Sequence, residues 1–242
     1  MAVPFYVSPE QVMKDRAEYA RKGIARGRAL VALEYADGVL FVGENPSRSL
    51  YKTSEIYDRL AFAAVGRYNE FEALRVSGIR LADVKGYQYG REDVTAKPLA
   101  NAYSQALGAI FMGEGKPFEV EVLIAEVDAE HVTDGQGQDE AGGGSAELYH
   151  ILYDGSIVDE HRFVAIGGQA EDLGRTLEDR YEDGMSLEQA VTLSVAVLAE
   201  TSGREIPPAD LEVSGLSRRA TRRRFFRLDD DAISAVLSGS SG

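Results

Sequence analysis

No cysteine occurs anywhere in the 242 residues. That absence excludes disulfides, thiolate catalysis and Cys-ligated zinc, and it fits a cytoplasmic setting. Long apolar runs are missing too: none reaches the roughly 18 residues that a membrane span requires. The N-terminus has no basic segment leading into an apolar one, so no secretion signal is expected. Positive charge is in deficit, with 26 Lys and Arg against 40 Asp and Glu and a formal net charge of −14. Such a balance argues against general affinity for nucleic acid, which needs clustered positive charge. There is no GxSxG, Walker A or GxGxxG element. His131, His150 and His161 lack metal-ligand spacing and read as surface or packed histidines, so no metal or cofactor is expected.

What is present is ordinary globular material, 44% hydrophobic and 27% charged, in a chain long enough to bury a substantial core. One basic run stands out: Arg218, Arg219, Arg222, Arg223, Arg224 and Arg227, interleaved with Phe225 and Phe226 and followed by Asp229, Asp230 and Asp231. In so acidic a chain it reads as a strand edge pairing with acidic surface, on this chain or on a neighbour.

Ser8-Pro9-Glu10-Gln11 has the form of a helix start. Ser8 can cap, Pro9 suits the first helical position and Gln11 completes a capping box. Val12, Met13, Ala17, Ala20 and Ile24 then give one apolar face, Glu10–Lys14 and Glu18–Lys22 support the other, and Gly27 is a stop. β-rich runs flank Asp37-Gly38 as in a tight hairpin, and "RLAFAAVG" reads as a buried strand. Helical period runs through Phe71, Leu74, Ile79, Leu81 and Val84, and a second helix is expected from Pro98 to Phe111, ended by "MGEGKP". "FEVEVLIAEV" reads as a central strand, the Gly-rich acidic stretch 132–146 as a flexible loop, and "LYHILYDGSIVDEHRFVAIGG" as a hairpin about Asp154-Gly155 plus a further strand. Helices near 169–182 and 186–201, two closing strands and a short helix from Asp229 to Leu237 complete the chain, with residues 238–242 expected to be disordered.

Runs of strands thus alternate with pairs of helices. This pattern predicts an α+β, four-layer αββα sandwich, two antiparallel sheets between helix pairs, rather than a doubly wound parallel sheet. No repeat or linker divides it, so residues 8–237 are expected to form one domain. The layout makes one chemistry worth testing, an N-terminal nucleophile whose own amine is the base. Residue types do not favour it. There is no Cys and no Gly-Thr pair. Cleavage at Gly144-Ser145 or Gly155-Ser156 would cut the sandwich apart, and loss of Met1 would expose Ala2. An autonomous amidohydrolase of that type remains the alternative, and a scaffold without a protease partner a third possibility.

Three stretches, "SPEQVMKDRAEYARKGIARG", "ADGVLFVGENPSRSLYKTSEIYDRLAFAAVGRYNEFEALR" and "LYHILYDGSIVDEHRFVAIGG", resemble proteasome α-subunits of the actinobacterial type, in a likeness running from about residue 3 to 237. The resemblance implies the fold of the N-terminal-nucleophile hydrolases with an added N-terminal helix lying on the ring surface. It further implies a heptameric outer ring at each end of a four-ring αββα barrel that admits unfolded proteins to catalytic β-subunits. Implied partners are other α copies, the β-subunit and a hexameric ATPase that delivers proteins tagged with a prokaryotic ubiquitin-like protein. That ATPase would dock by its C-terminal tail in a pocket carried over as Lys52, Glu18, Gly27 and Gly66, where the lysine meets the tail's carboxylate. Residues 1–7 would be a gate segment, and the gate residues would be Pro4, Phe5, Tyr6 and Val7 with Ser8 and Pro9 at the helix start. The Tyr-Asp-Arg gating motif of archaeal and eukaryotic relatives is absent. Gly113, Gly115 and Lys116 would belong to an inner pore loop.

Overall fold

The computed structural model of the chain describes residues 8–128, 146–221 and 223–239. Residues 1–7, most of the 132–146 stretch, His131, Ser145, Arg222 and residues 240–242 lie outside them.

The first helix, α1, spans Pro9–Ala25. Strands β1 (Leu30–Tyr35) and β2 (Gly38–Glu44) form the expected hairpin, and β3 (Thr53–Tyr57) and β4 (Leu60–Gly66) a second. Helices α2 (Tyr68–Gln88) and α3 (Ala96–Met112) follow, then strands β5 (Val120–Val127), β6 (Ala146–Ile151), β7 (Ile157–Glu160) and β8 (Phe163–Ile166). The chain closes with α4 (Ala170–Arg180), α5 (Leu187–Ser202), β9 (Leu211–Ser217), β10 (Phe225–Leu228) and α6 (Asp230–Gly239). The last helix therefore includes Ser238 and Gly239, two residues beyond the expected end. Strand β3 was not anticipated. Only Thr53 and Ile56 of its five residues are buried, three apart across a shift in register, so the segment carries no period-two signal.

Two five-stranded antiparallel sheets result, ordered β10-β9-β2-β1-β8 and β3-β4-β5-β6-β7. The expected four-layer sandwich is what forms. The stretch read as a hairpin plus a strand divides between them, because β7 pairs with β6 in one sheet while β8 pairs with β1 in the other. Both faces of the central strands are covered, which explains why they read as continuous apolar runs. Along β4, Ala61, Ala63 and Val65 face the inter-sheet core, and Leu60, Phe62 and Ala64 face α2 and α3. In the other sheet Leu40 and Val42 pack under Leu173, Leu177, Val191 and Leu198 of α4 and α5.

Two local expectations need correction. Helix α2 is as predicted, but Leu81 and Val84 are exposed (43% and 52%). The helix packs instead through Phe71, Leu74, Gly78 and Ala82, a stripe whose small members give little hydrophobic signal. At the start of α1, Ser8 does accept the Gln11 N–H at 3.2 Å, but the Gln11 side chain turns outward to donate to Asp15, so the reciprocal half of the capping box is not made. The complete box is at Ser186 and Gln189, opening α5.

Helix α1 lies at one end of the sandwich. Ala20 and Ile24 enter the inter-sheet core beside Leu30, Val65 and Ile166, while Val12 and Tyr19 are exposed. Gly23 permits the approach, because a Cβ there would stand 2.2 Å from the buried Glu119 carboxylate. Arg16 ties the helix down by donating to the carbonyls of Phe111, Gly115 and Ile110 at 2.7, 2.8 and 3.1 Å. These carbonyls lie at and beyond the C-terminal end of α3, where helix carbonyls run short of backbone donors; the Ile110 carbonyl also accepts the Gly113 N–H at 3.2 Å.

Beyond Leu123 on the same inter-sheet face, His150 of β6 sits between Glu121 and Glu160, at 3.7 and 3.5 Å. Burial alone would lower its pKa, but the two carboxylates more than reverse this and push it up to about 9. A folded-state pKa above the ordinary 6.5 stabilises the fold fully below about pH 6.5, and the gain is lost as pH rises through 9. We predict that the isolated subunit loses roughly 2–3 kcal/mol of stability over that window. The His150→Gln variant, compared by denaturant midpoints at pH 6 and pH 9.5, should lose most of this slope. An unchanged slope would place the titration elsewhere.

Candidate functional site

Of the four residues carried over as a pocket, three converge. The chain leaving α1 passes through Gly27 and Arg28, and Gly168, just beyond β8, donates its N–H to the Gly27 carbonyl at 3.2 Å. A Cβ on Gly27 would lie 3.7 Å from the Gly66 nitrogen, so these two backbones run side by side. Lys52, just ahead of β3, reaches across and donates from Nζ to the Arg28 carbonyl at 2.8 Å. Gly167 lies against the same Arg28 carbonyl. The result is a half-buried ammonium beside a wall of backbone, built from four stretches of chain that are remote in sequence.

Among the described residues no carboxylate comes within ion-pair distance of the Lys52 ammonium. Of the two acids that act on it, Glu212 is filled by other donors, Arg227 among them, and Glu44 is engaged by Arg28 at 2.7 Å and by Arg204. Burial lowers the Lys52 pKa, opposed by Glu212 and Glu44 and assisted by Arg28, and brings it down to about 8. A compact ammonium with two unused donors and an incomplete charge balance suits an incoming carboxylate.

Glu18 is not part of this cluster. It lies on the exposed face of α1 in an ion pair with Lys22 at 2.6 Å, which holds its carboxyl below the usual range. Gly66 has a reason to be glycine that precedes any ligand: its φ is +108°, and a Cβ would stand 1.9 Å from the Glu119 carbonyl oxygen.

In the stretch carried over as an inner pore loop, neither Gly113 nor Gly115 has a positive φ. Lys116 turns inward, pairing with Glu70 at 2.6 Å and Glu119 at 3.0 Å beneath the Tyr19 ring. Burial alone would lower its pKa, but those two carboxylates more than reverse this and raise it. Glu119 also pairs with Arg67, so the start of α2 and the segment after α3 share one ionic junction, with the Tyr19 ring of α1 against it. Among the gate residues, Ser8 and Pro9 serve as N-cap and first residue of α1. Pro4 to Val7 lie outside the described residues.

The residue that sequence reasoning missed is Glu212 of β9. In "ADLEVSG" it reads as an outward polar position, yet it is 5% exposed. The basic run supplies one of its partners: Arg227 donates to Glu212 at 2.7 Å, while Arg219 pairs with Asp37 and Arg223 with Glu55. A cavity of about 780 Å³ on the far side of this segment is lined by Tyr51, Glu55, Arg75, Arg223 and Arg227. Each of those arginines is already paired within the chain, Arg75 with Glu72.

This sandwich, with a helix ahead of β1 and a lysine-and-backbone cleft beside it, belongs to a known class. The family model described as "Proteasome subunit" matches residues 24–214, and the chain belongs to that family. Full-length relatives are more specific. The chain is 54% identical over 248 residues to "Proteasome subunit alpha" of Kineococcus radiotolerans, covering 99% of this chain and 100% of that one. It is 53% identical over 246 residues to the protein of the same name from Acidothermus cellulolyticus, covering 100% of both. With the one from Streptomyces coelicolor it shares 52% over 246 residues, covering 100% of this chain and 92% of the relative.

Proposed function

We propose that this chain is an α-subunit of a cytoplasmic proteasome core, forming its outer heptameric rings and controlling entry without cleaving peptide bonds itself. The observation that carries this is α1. An N-terminal-nucleophile enzyme needs a free amine at the mouth of the sandwich. Here β1 is preceded by a helix whose Ala20 and Ile24 fill that mouth. The fold of the catalytic class is thus kept with the cleft closed, as a subunit that acts by assembly would have it.

On this account the exposed N-terminal half of α1 faces neighbouring α copies. Residues 1–7 act as the gate segment, and hydrolysis belongs to β-subunits inside. The Lys52 cleft takes the C-terminal carboxylate of an activating hexameric ATPase, and the substrates are unfolded proteins. Deleting residues 1–7 tests the gate: hydrolysis of a small fluorogenic peptide by the assembled core should rise several-fold, with no change in assembly. Equal rates before and after deletion would show that the segment does not obstruct the pore.

A further inference from the structure

Lys52 is carried on a poor platform. Between β2 and β3 the chain runs from Asn45 to Lys52 without regular structure, and residues 48–51 are exposed. Such a segment does not hold a side chain in register by itself. Yet both of its ends close on a single buried carboxylate from a distant strand. Glu212 Oε2 accepts from Asn45 Nδ2 at 2.6 Å and from the Lys52 backbone N–H at 2.9 Å. Glu212 Oε1 accepts from the Thr53 N–H at 3.0 Å, the Thr53 hydroxyl at 2.5 Å and Arg227 Nη1 at 2.7 Å. Asn45 also donates to the Leu50 carbonyl at 2.9 Å, and Arg227 donates to the Thr53 carbonyl at 2.9 Å and stacks on the Tyr51 ring at 3.9 Å. Five donors thus fill one carboxylate, and four of them belong to the segment or its first strand residue. Burial alone would raise the Glu212 pKa, but its hydrogen bonds more than reverse this and keep it low. The clasp is therefore anionic at neutral pH and accepts only.

We infer that Glu212 is the positioning residue of the Lys52 cleft. By clasping Asn45, Lys52 and Thr53 it fixes where the ammonium stands, and hence how well the cleft distinguishes a terminal carboxylate from an uncharged chain end. The inference rests on the cleft's proposed role in binding a carboxylate-ended activator tail. A peptide carboxylate approaching Arg28 and Gly66 must reach the two Lys52 donors that the Arg28 carbonyl leaves unused. It gains a bond to them only if the Lys52 backbone does not move with its side chain. Glu212 touches no ligand in this scheme; it acts through the backbone of Lys52.

The test uses assembled core particles and a labelled octapeptide copying the C-terminal end of the cognate ATPase, made as the free acid and as the C-terminal amide. Unaltered particles should prefer the free acid. In Glu212→Gln particles the amide nitrogen replaces one acceptor and faces N–H donors. Affinity for the free acid should fall about tenfold, the scale of a charge-assisted hydrogen bond, while amide binding is unmoved, so the acid-to-amide ratio collapses. A general loosening of the subunit would weaken both peptides alike and keep the ratio; that result overturns the inference, as does an unchanged free-acid affinity. Lys52→Ala particles separate the two levels. Discrimination lost there but intact in Glu212→Gln overturns the role of Glu212 alone, whereas unaltered particles that bind both peptides equally remove the cleft's proposed role and this inference with it. If Glu212→Gln subunits do not assemble, Asn45→Ala removes one of the clasp's donors and should shrink the ratio about threefold. A full ratio in those particles overturns the inference.

Discussion

Lys52→Ala particles should degrade folded, tagged substrates with their ATPase at least about tenfold more slowly, while hydrolysing small peptides without activator at the unaltered rate. The expectation follows from what the ammonium lacks. Its one fixed partner on the chain is a neutral carbonyl, and the acids that act on it are committed elsewhere, Glu212 to Arg227 and Glu44 to Arg28 and Arg204. Removing it deletes a charge-assisted bond of about 1.5–3 kcal/mol per tail, and several tails engaging one ring multiply the loss. Lys52 N–H and the fold around it remain, so ring assembly should not change. A pH signature accompanies the effect. Because burial brings the Lys52 pKa down to about 8, the charged form declines as pH rises through that value. Activator affinity should therefore fall above pH 8, well below the range of an ordinary lysine. Tail binding that is indifferent to both the mutation and pH would mean the carboxylate is held elsewhere.

Gly66→Ala should be the most damaging single-methyl change at the site, and its damage should be to folding rather than to docking. At φ +108° an L-residue is strained, and the new Cβ would stand 1.9 Å from the Glu119 carbonyl oxygen. Relief requires β4 to separate from β5 at the Gly66–Val120 pair and threatens the bond from the Arg67 N–H to that same carbonyl. A cost of about 3–5 kcal/mol is expected, of the size reserved for special backbone positions and steric conflict. That is a large part of a typical domain's stability and corresponds to a fall in Tm of about 10 °C or more at this chain length. Gly27→Ala is the control. Gly27 has no positive φ and its Cβ would lie 3.1 Å from the Ile24 carbonyl, so the fold should survive within a few degrees while the cleft narrows. Thermal melts of the two variants distinguish the roles, and a Gly66→Ala subunit melting with the unaltered chain would refute the steric account.

The architecture was legible because each level agreed with the next. Ser8-Pro9 and Ser186 marked helix starts, Asp37-Gly38 and Asp154-Gly155 marked hairpins, and apolar runs without alternation marked strands covered on both faces. What failed to show was made by packing. The inward stripe of α2 is partly Gly78 and Ala82, so Leu81 and Val84 gave the stronger but misleading signal. The cleft was legible only through resemblance, because periodicity does not report that residues 27, 52, 66 and 168 cross. Glu212 left no trace at all. A glutamate in an alternating strand reads as solvent-facing, and only the tertiary arrangement of Asn45, Thr53 and Arg227 makes its burial tolerable.

The most direct test of the whole account is to purify the chain alone and together with a proteasome β-subunit, and to assay both preparations for size and for hydrolysis of small peptides. The account predicts no hydrolysis by the chain alone. With the partner it predicts a four-ring particle whose activity disappears when the β-subunit's nucleophile, and nothing in this chain, is removed. Peptide cleavage by the isolated chain, or failure to form rings with the β-subunit, would contradict it.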